Sequence, residues 1–134
     1  MNRTALLALM ALSLASCGGD SGSDDYQLAV QQADAKQAEA ISLAATSPCN
    51  AVQQCGNLQL SQPQNHRTAL SYRPYSLVSP TADAASAAAA EERTLANRAA
   101  LLAPPPNSAC TAAVVAPPTL ACVANTCQAI APAN

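Results

Sequence analysis

Hydrophobic and polar positions fall along this chain in blocks of different period, and each block predicts one element. Ala5 to Leu14 is an apolar run behind Met1-Asn2-Arg3-Thr4. It is too short to cross a hydrocarbon core of ~30 Å as a helix. Tyr26 to Thr46 lacks Gly and Pro and is rich in Ala, Gln, Lys and Glu, which predicts a first helix with Asp24 and Asp25 as N-caps. Tyr26, Val30, Ala33, Ala40, Ile41 and Ala44 form its apolar stripe, interrupted by Gln37, and Ser47-Pro48 ends it. Ser79-Pro80 opens a second helix, with Ser79 as N-cap, Pro80 at the first helical position, Asp83 in the first turn and Arg98 near the negative end. That helix should run to Ala103, where three prolines stop it. Ala84, Ala88, Leu95, Ala99 and Leu102 share one face, which Glu91 breaks. The connection 47–78 reads as irregular, with 57–60 and 75–78 as candidate short strands. Thr111 to Val115 and Thr119 to Val123 look extended, and Ala124-Asn125 is a two-residue turn into Thr126 to Ile130. In that register Cys122 and Cys127 face each other where Cα atoms sit ~4.5 Å apart, so a bridge between them is allowed.

Composition changes the weight of these elements. Half of the 134 residues count as hydrophobic, but much of that is alanine; Phe and Trp are absent, and the aromatics are Tyr26, Tyr72 and Tyr75. At ~25 cal/mol per Å² of apolar surface, so thin a core leaves the fold near marginal unless something else ties it. Charge adds little. The whole chain carries a formal −2, or −3 once Arg3 is removed with the first sixteen residues. No basic cluster and no interleaved aromatics suit phosphates or bases, which argues against nucleic acid as a partner.

The N-terminus has signal-peptide anatomy: a short basic start, an apolar run and then small residues. Its last residues, Leu14-Ala15-Ser16-Cys17, resemble the lipobox of bacterial lipoproteins. The resemblance implies removal of 1–16 and a diacylglycerol thioether with N-acylation on Cys17, palmitate being the usual acyl chain. It stands against a chance cysteine after an ordinary signal, or a short buried helix. One acyl chain is a marginal anchor, whereas two or three hold a protein at the membrane. Under the enteric-type sorting rule, Gly18 in place of aspartate favours the outer membrane over the inner, with the domain facing the periplasm. Residues 17–25 then read as a flexible tether. Gly19-Asp20-Ser21-Gly22 matches the tetrapeptide around the nucleophile of trypsin-like proteases, but no scaffold precedes it to place a histidine and an aspartate.

With Cys17 assigned to lipid, Cys49, Cys55, Cys110, Cys122 and Cys127 are the disulfide candidates. Five is odd, so two bridges leave one thiol over, and spacing alone leaves the pairing open. Cys49, Gln54-Cys55, Tyr72-Arg73-Pro74-Tyr75-Ser76, Ser108-Ala109-Cys110, Pro118, Cys122 and Cys127 resemble an uncharacterised group of small exported bacterial cysteine-rich proteins. That group carries a further cysteine roughly ten residues after the one matching Cys55. This chain has Asn65-His66-Arg67 there, and the resemblance implies that the lost cysteine's partner is the odd one. A metal site using His66 and cysteines is the competing reading, but no Cys-x-x-Cys pair is present, so no metal ligand is assigned. His66 reads as a solvated loop residue, and Tyr72 with Tyr75 as core aromatics. The expected architecture is mainly α: two Ala-rich helices packed together, with a short C-terminal β-hairpin over 110–130, stapled by disulfides.

No catalytic constellation stands out and no cofactor is implied beyond the lipid on Cys17. The leading expectation is a non-enzymatic, membrane-anchored envelope lipoprotein, acting as a structural module or binding an envelope protein. A tethered hydrolase inhibitor, with Gln62 to Arg73 as its loop, and a thiol-redox or metal-handling protein are the alternatives.

Overall fold

The computed structural model describes residues 21–62, 70–103 and 115–130. Within them the chain forms α1 (Ser21–Leu43), a 3-10 turn (Val52–Gln54), β1 (Cys55–Ser61), β2 (Leu70–Ser76), α2 (Ala82–Leu102), β3 (Thr119–Val123) and β4 (Thr126–Ile130). The two helices pack antiparallel. Thr81 Oγ1, at the start of α2, donates to the Leu43 carbonyl at the end of α1 (2.6 Å), and Lys36 pairs with Glu91 (2.9 Å) farther along. Their seam is alanine: Ala29, Ala33 and Ala40 with Ala44 just beyond α1, against Ala82, Ala85, Ala88, Ala89, Ala96 and Ala99 of α2. Methyl-sized side chains let two helix backbones approach closely, so the contact relies on dense packing rather than large apolar residues.

Larger side chains come from the first hairpin. β1 and β2 pair antiparallel, with Cys55 opposite Ser76 and Ser61 opposite Leu70. Leu58, Leu60 and Tyr75 are buried against Ala40, Ala44, Ala82, Ala85, Ala88 and Ala89, which makes this end of the helix pair the core. Each such side chain contributes roughly 1.5–3 kcal/mol on burial. Gly56 sits opposite Tyr75, and a Cβ there would lie 2.9 Å from the Tyr75 ring and 2.7 Å from Leu77 Cδ2. Only glycine lets the ring close over the strand.

The second hairpin pairs Thr119 with Ile130 and Cys122 with Cys127. Its turn residues Ala124 and Asn125 both have positive φ, 48° and 64°, the left-handed pair that a right-twisted hairpin needs. The expected register of this hairpin is the observed one.

The fold is therefore mixed α/β, two helices with two small two-stranded antiparallel sheets, and not mainly α. The connection 47–78 holds β1 and β2. Strand signals there were weak because the only apolar alternation is Leu58 and Leu60, and Pro74 lies inside β2. Helix bounds shift as well. α1 begins at Ser21, inside the segment expected to be tether, and ends at Leu43 rather than Thr46. α2 begins at Ala82 with Thr81, not Ser79, as N-cap, and Pro80 lies before the helix; Ser79 Oγ accepts the Thr81 N–H (3.3 Å) and its carbonyl accepts the Ala82 N–H (3.1 Å) in the turn that leads in. It ends at Leu102, with Ala103 extended before Pro104 as a residue preceding proline must be. Arg98 lies short of the last turn of α2. Cys17, His66, Arg67 and Cys110 and the span 111–114 lie outside the described residues, as does most of the expected inhibitor loop, since Leu70–Arg73 belongs to β2. No helix among the described residues is long and apolar enough to cross a membrane.

Candidate functional site

Chemistry-bearing side chains gather where the chain leaves α1. Residues 45–49 run as a strap between the two hairpins. The Ser76 N–H donates to the Ala45 carbonyl and the Cys127 N–H to the Thr46 carbonyl, each at 2.7 Å. The Ser47–Pro48 peptide is cis, and Ser76 Oγ donates to the Pro48 carbonyl. At the end of the strap the Cys49 N–H meets both the carbonyl (3.2 Å) and Oδ1 (3.1 Å) of Asn125. The turn that closes the second hairpin thus also seats it on the strap. Gln54 finishes the frame: its Oε1 accepts the Asn50 N–H (2.7 Å) and its carbonyl accepts the Leu77 N–H (2.8 Å). Asn57 Nδ2 adds a bond to the Pro118 carbonyl (3.0 Å), tying β1 to the segment that leads into β3.

Into this frame come two disulfides, Cys49–Cys122 and Cys55–Cys127, with Cα separations of 6.0 and 5.5 Å. The bridge allowed across the hairpin between Cys122 and Cys127 is not the one formed. Both residues lie on the face that meets the strap and β1, so each finds a partner there. The sulfurs of Cys49, Cys55 and Cys127 lie within 4.8 Å of one another. As thiolates they would make a three-sulfur donor set for a soft metal, but in disulfides those electron pairs are committed to S–S bonds.

A second polar cluster braces the far end of β1. Glu92 is 2% exposed and its Oε2 accepts the Ser61 N–H (3.1 Å). Gln37 Nε2 donates to the Ser61 carbonyl (2.6 Å), and Arg93 donates to the Gln59 carbonyl (2.8 Å). Gln37, which interrupts the α1 stripe, thus binds the strand end from one helix while Glu92 and Arg93 bind it from the other. Of the neighbouring acids, Glu91 faces outward to Lys36, which also pairs with Glu39 (2.8 Å). Glu39 first, then Glu91, holds the Lys36 ammonium charged above the usual lysine range.

The expected α2 stripe holds Ala88 and Ala99, which are buried, but it is rotated towards Ala84 and Leu102 and so leaves out Glu92. The buried set Ala85, Ala88, Ala89, Glu92, Ala96 and Ala99 keeps helical spacing. Ala84 and Leu102 are exposed instead. Tyr75 is a core residue, Tyr72 is half-buried, and Arg73 is exposed. No protein-family model, curated protein or solved structure matches the chain.

Proposed function

We propose that this chain is a lipid-anchored bacterial envelope lipoprotein whose domain serves as a non-enzymatic structural or protein-binding module. The observation that carries the reading is Leu14-Ala15-Ser16-Cys17 behind a basic start and an apolar run. Cleavage before Cys17 leaves only 18–20 between the lipid and the first residue of α1, so the domain would stand close to the membrane surface. Two disulfides are in keeping with a compartment that oxidises thiols, and they suit a domain with so little large apolar surface. The described side chains supply a braced scaffold, which suits such a module. A short tether, a rigid stapled body and a mildly acidic surface together favour holding or binding another envelope component, with the outer membrane favoured by Gly18. The reading is tested by Cys17→Ser, which should abolish incorporation of labelled palmitate and move the protein from the membrane to the soluble fraction. Unchanged membrane association with no lipid label would overturn it. Crosslinking in intact envelopes should recover a specific partner with the native chain and lose it with Cys17→Ser.

A further inference from the structure

Cys49 Sγ lies within 4.8 Å of both sulfurs of the other bridge, Cys55–Cys127. Its own partner, Cys122, is the register partner of Cys127 across the β3–β4 hairpin. The four cysteines are therefore placed for a second pairing, Cys49–Cys55 with Cys122–Cys127. Register partners in an antiparallel hairpin have Cα atoms ~4.5–5.5 Å apart, which a disulfide can span. Reach sets the order of events: Cys49, once released from half-buried Cys122, has both sulfurs of the other bridge within 4.8 Å.

The geometry points to a thiol–disulfide exchange site in which opening Cys49–Cys122 is relayed through Cys49 into Cys55–Cys127. The substrate class is a thiol, either a small one or a reduced dithiol protein. Its thiolate attacks Cys122 Sγ and forms a mixed disulfide; the Cys49–Cys122 bond breaks and Cys49 leaves with the electron pair. The Cys49 thiolate then attacks Cys55 Sγ, forming Cys49–Cys55 and expelling Cys127 as a thiolate. Cys127 attacks Cys122 Sγ across the hairpin, closes Cys122–Cys127 and returns the incoming thiolate. Each step makes one S–S bond and breaks one, so neither oxidant nor reductant is consumed. The outcome is mechanical. Both long-range bridges become local, and the second hairpin keeps no covalent tie to the rest, only its packing and the hydrogen bonds through Thr46, Asn125 and Asn57.

The test uses the purified full chain carrying Cys110→Ser, so that position 110 cannot enter the exchange, and Cys122→Ser, which leaves Cys49 as a thiol from the outset. Alkylation followed by trypsin without reduction separates the 37–67 peptide, with Cys49 and Cys55, from the 99–134 peptide, with Cys127. Exchange places label on Cys127 in an unjoined 99–134 peptide and leaves 37–67 lighter by the two hydrogens of an internal bridge. Label on Cys49 alone, with the peptides joined through Cys55–Cys127, overturns the relay. The chain with Cys122 intact gives a second measurement, should Cys122→Ser fail to fold. Treated with glutathione and quenched in acid, it should yield the two peptides unjoined, each internally bridged, before alkylatable thiols accumulate. Thiols accumulating while the peptides stay joined by one bridge would exclude the mechanism.

Discussion

Cys122 and Cys127 face each other across the second hairpin, yet each is bonded away from the other, to Cys49 and Cys55 respectively. The hairpin is thereby stapled twice to the segment that leaves α1. The bridges close nearly the same long loop, with sequence separations of 73 and 72.

That redundancy predicts non-additive stability. In the chain-entropy account a loop of this length is worth ~4 kcal/mol, but with one bridge in place the other closes only the ring of 49–55 and 122–127, about 13 residues and worth ~3 kcal/mol. Removing either bridge as a double Cys→Ala variant should therefore cost about 3 kcal/mol, and removing both should cost more than the sum of the two. Urea unfolding of the two double variants and the quadruple variant measures this. Strict additivity would mean that the bridges act on separate loops.

Glu92 braces β1 from inside the helix seam. Glu92→Ala should destabilise the protein by roughly 1–3 kcal/mol, since it leaves the half-buried Ser61 N–H without its acceptor, and Glu92→Gln should cost less because an amide oxygen can still accept. Glu91→Ala, on the exposed side, serves as the comparison and should stay within about 0.5 kcal/mol. Equal losses at 91 and 92 would contradict the assigned phase of α2.

The alanine seam has no room to spare. Ala40 and Ala85 are fully buried, so Ala85→Leu should force the helices apart and cost about 1–3 kcal/mol, despite adding apolar surface. A rise in melting temperature on that substitution would show that the seam is loosely packed.

Ala124 has φ of 48° in the first turn position, a conformation that asparagine tolerates better than alanine. Ala124→Asn should stabilise the protein by about 0.5–1 kcal/mol without altering the bridges. Thermal unfolding under oxidising conditions checks it, and a loss of stability would place the turn in another class.

How far these features could be read from the sequence depends on the range of the interaction behind them. Ser79-Pro80 and the three prolines after Ala103 bracket α2 locally, and both limits were legible to within two residues. Ala124-Asn125 set the register of the second hairpin, because a two-residue turn leaves no freedom in the pairing. The phase of α2 was not legible. With alanine at 82, 84, 85 and 87–90, almost any face looks apolar, and only the first hairpin packing on one side selects among them. The β1–β2 pairing and the choice of Cys49 and Cys55 as partners are tertiary decisions. Cys122 stands opposite Cys127 as expected, but the bridges formed run to Cys49 and Cys55, because local geometry does not decide between a near partner and one brought up by the strap.

The most direct test of a lipid-anchored, doubly stapled domain is the intact mass of the membrane-extracted protein, taken before and after reduction and alkylation. The expected mass is that of 17–134 plus diacylglycerol and an N-linked acyl chain. Cys49, Cys55, Cys122 and Cys127 should take up label only after reduction. An unlipidated mass that retains residues 1–16, or label on those four cysteines without reduction, would contradict the account.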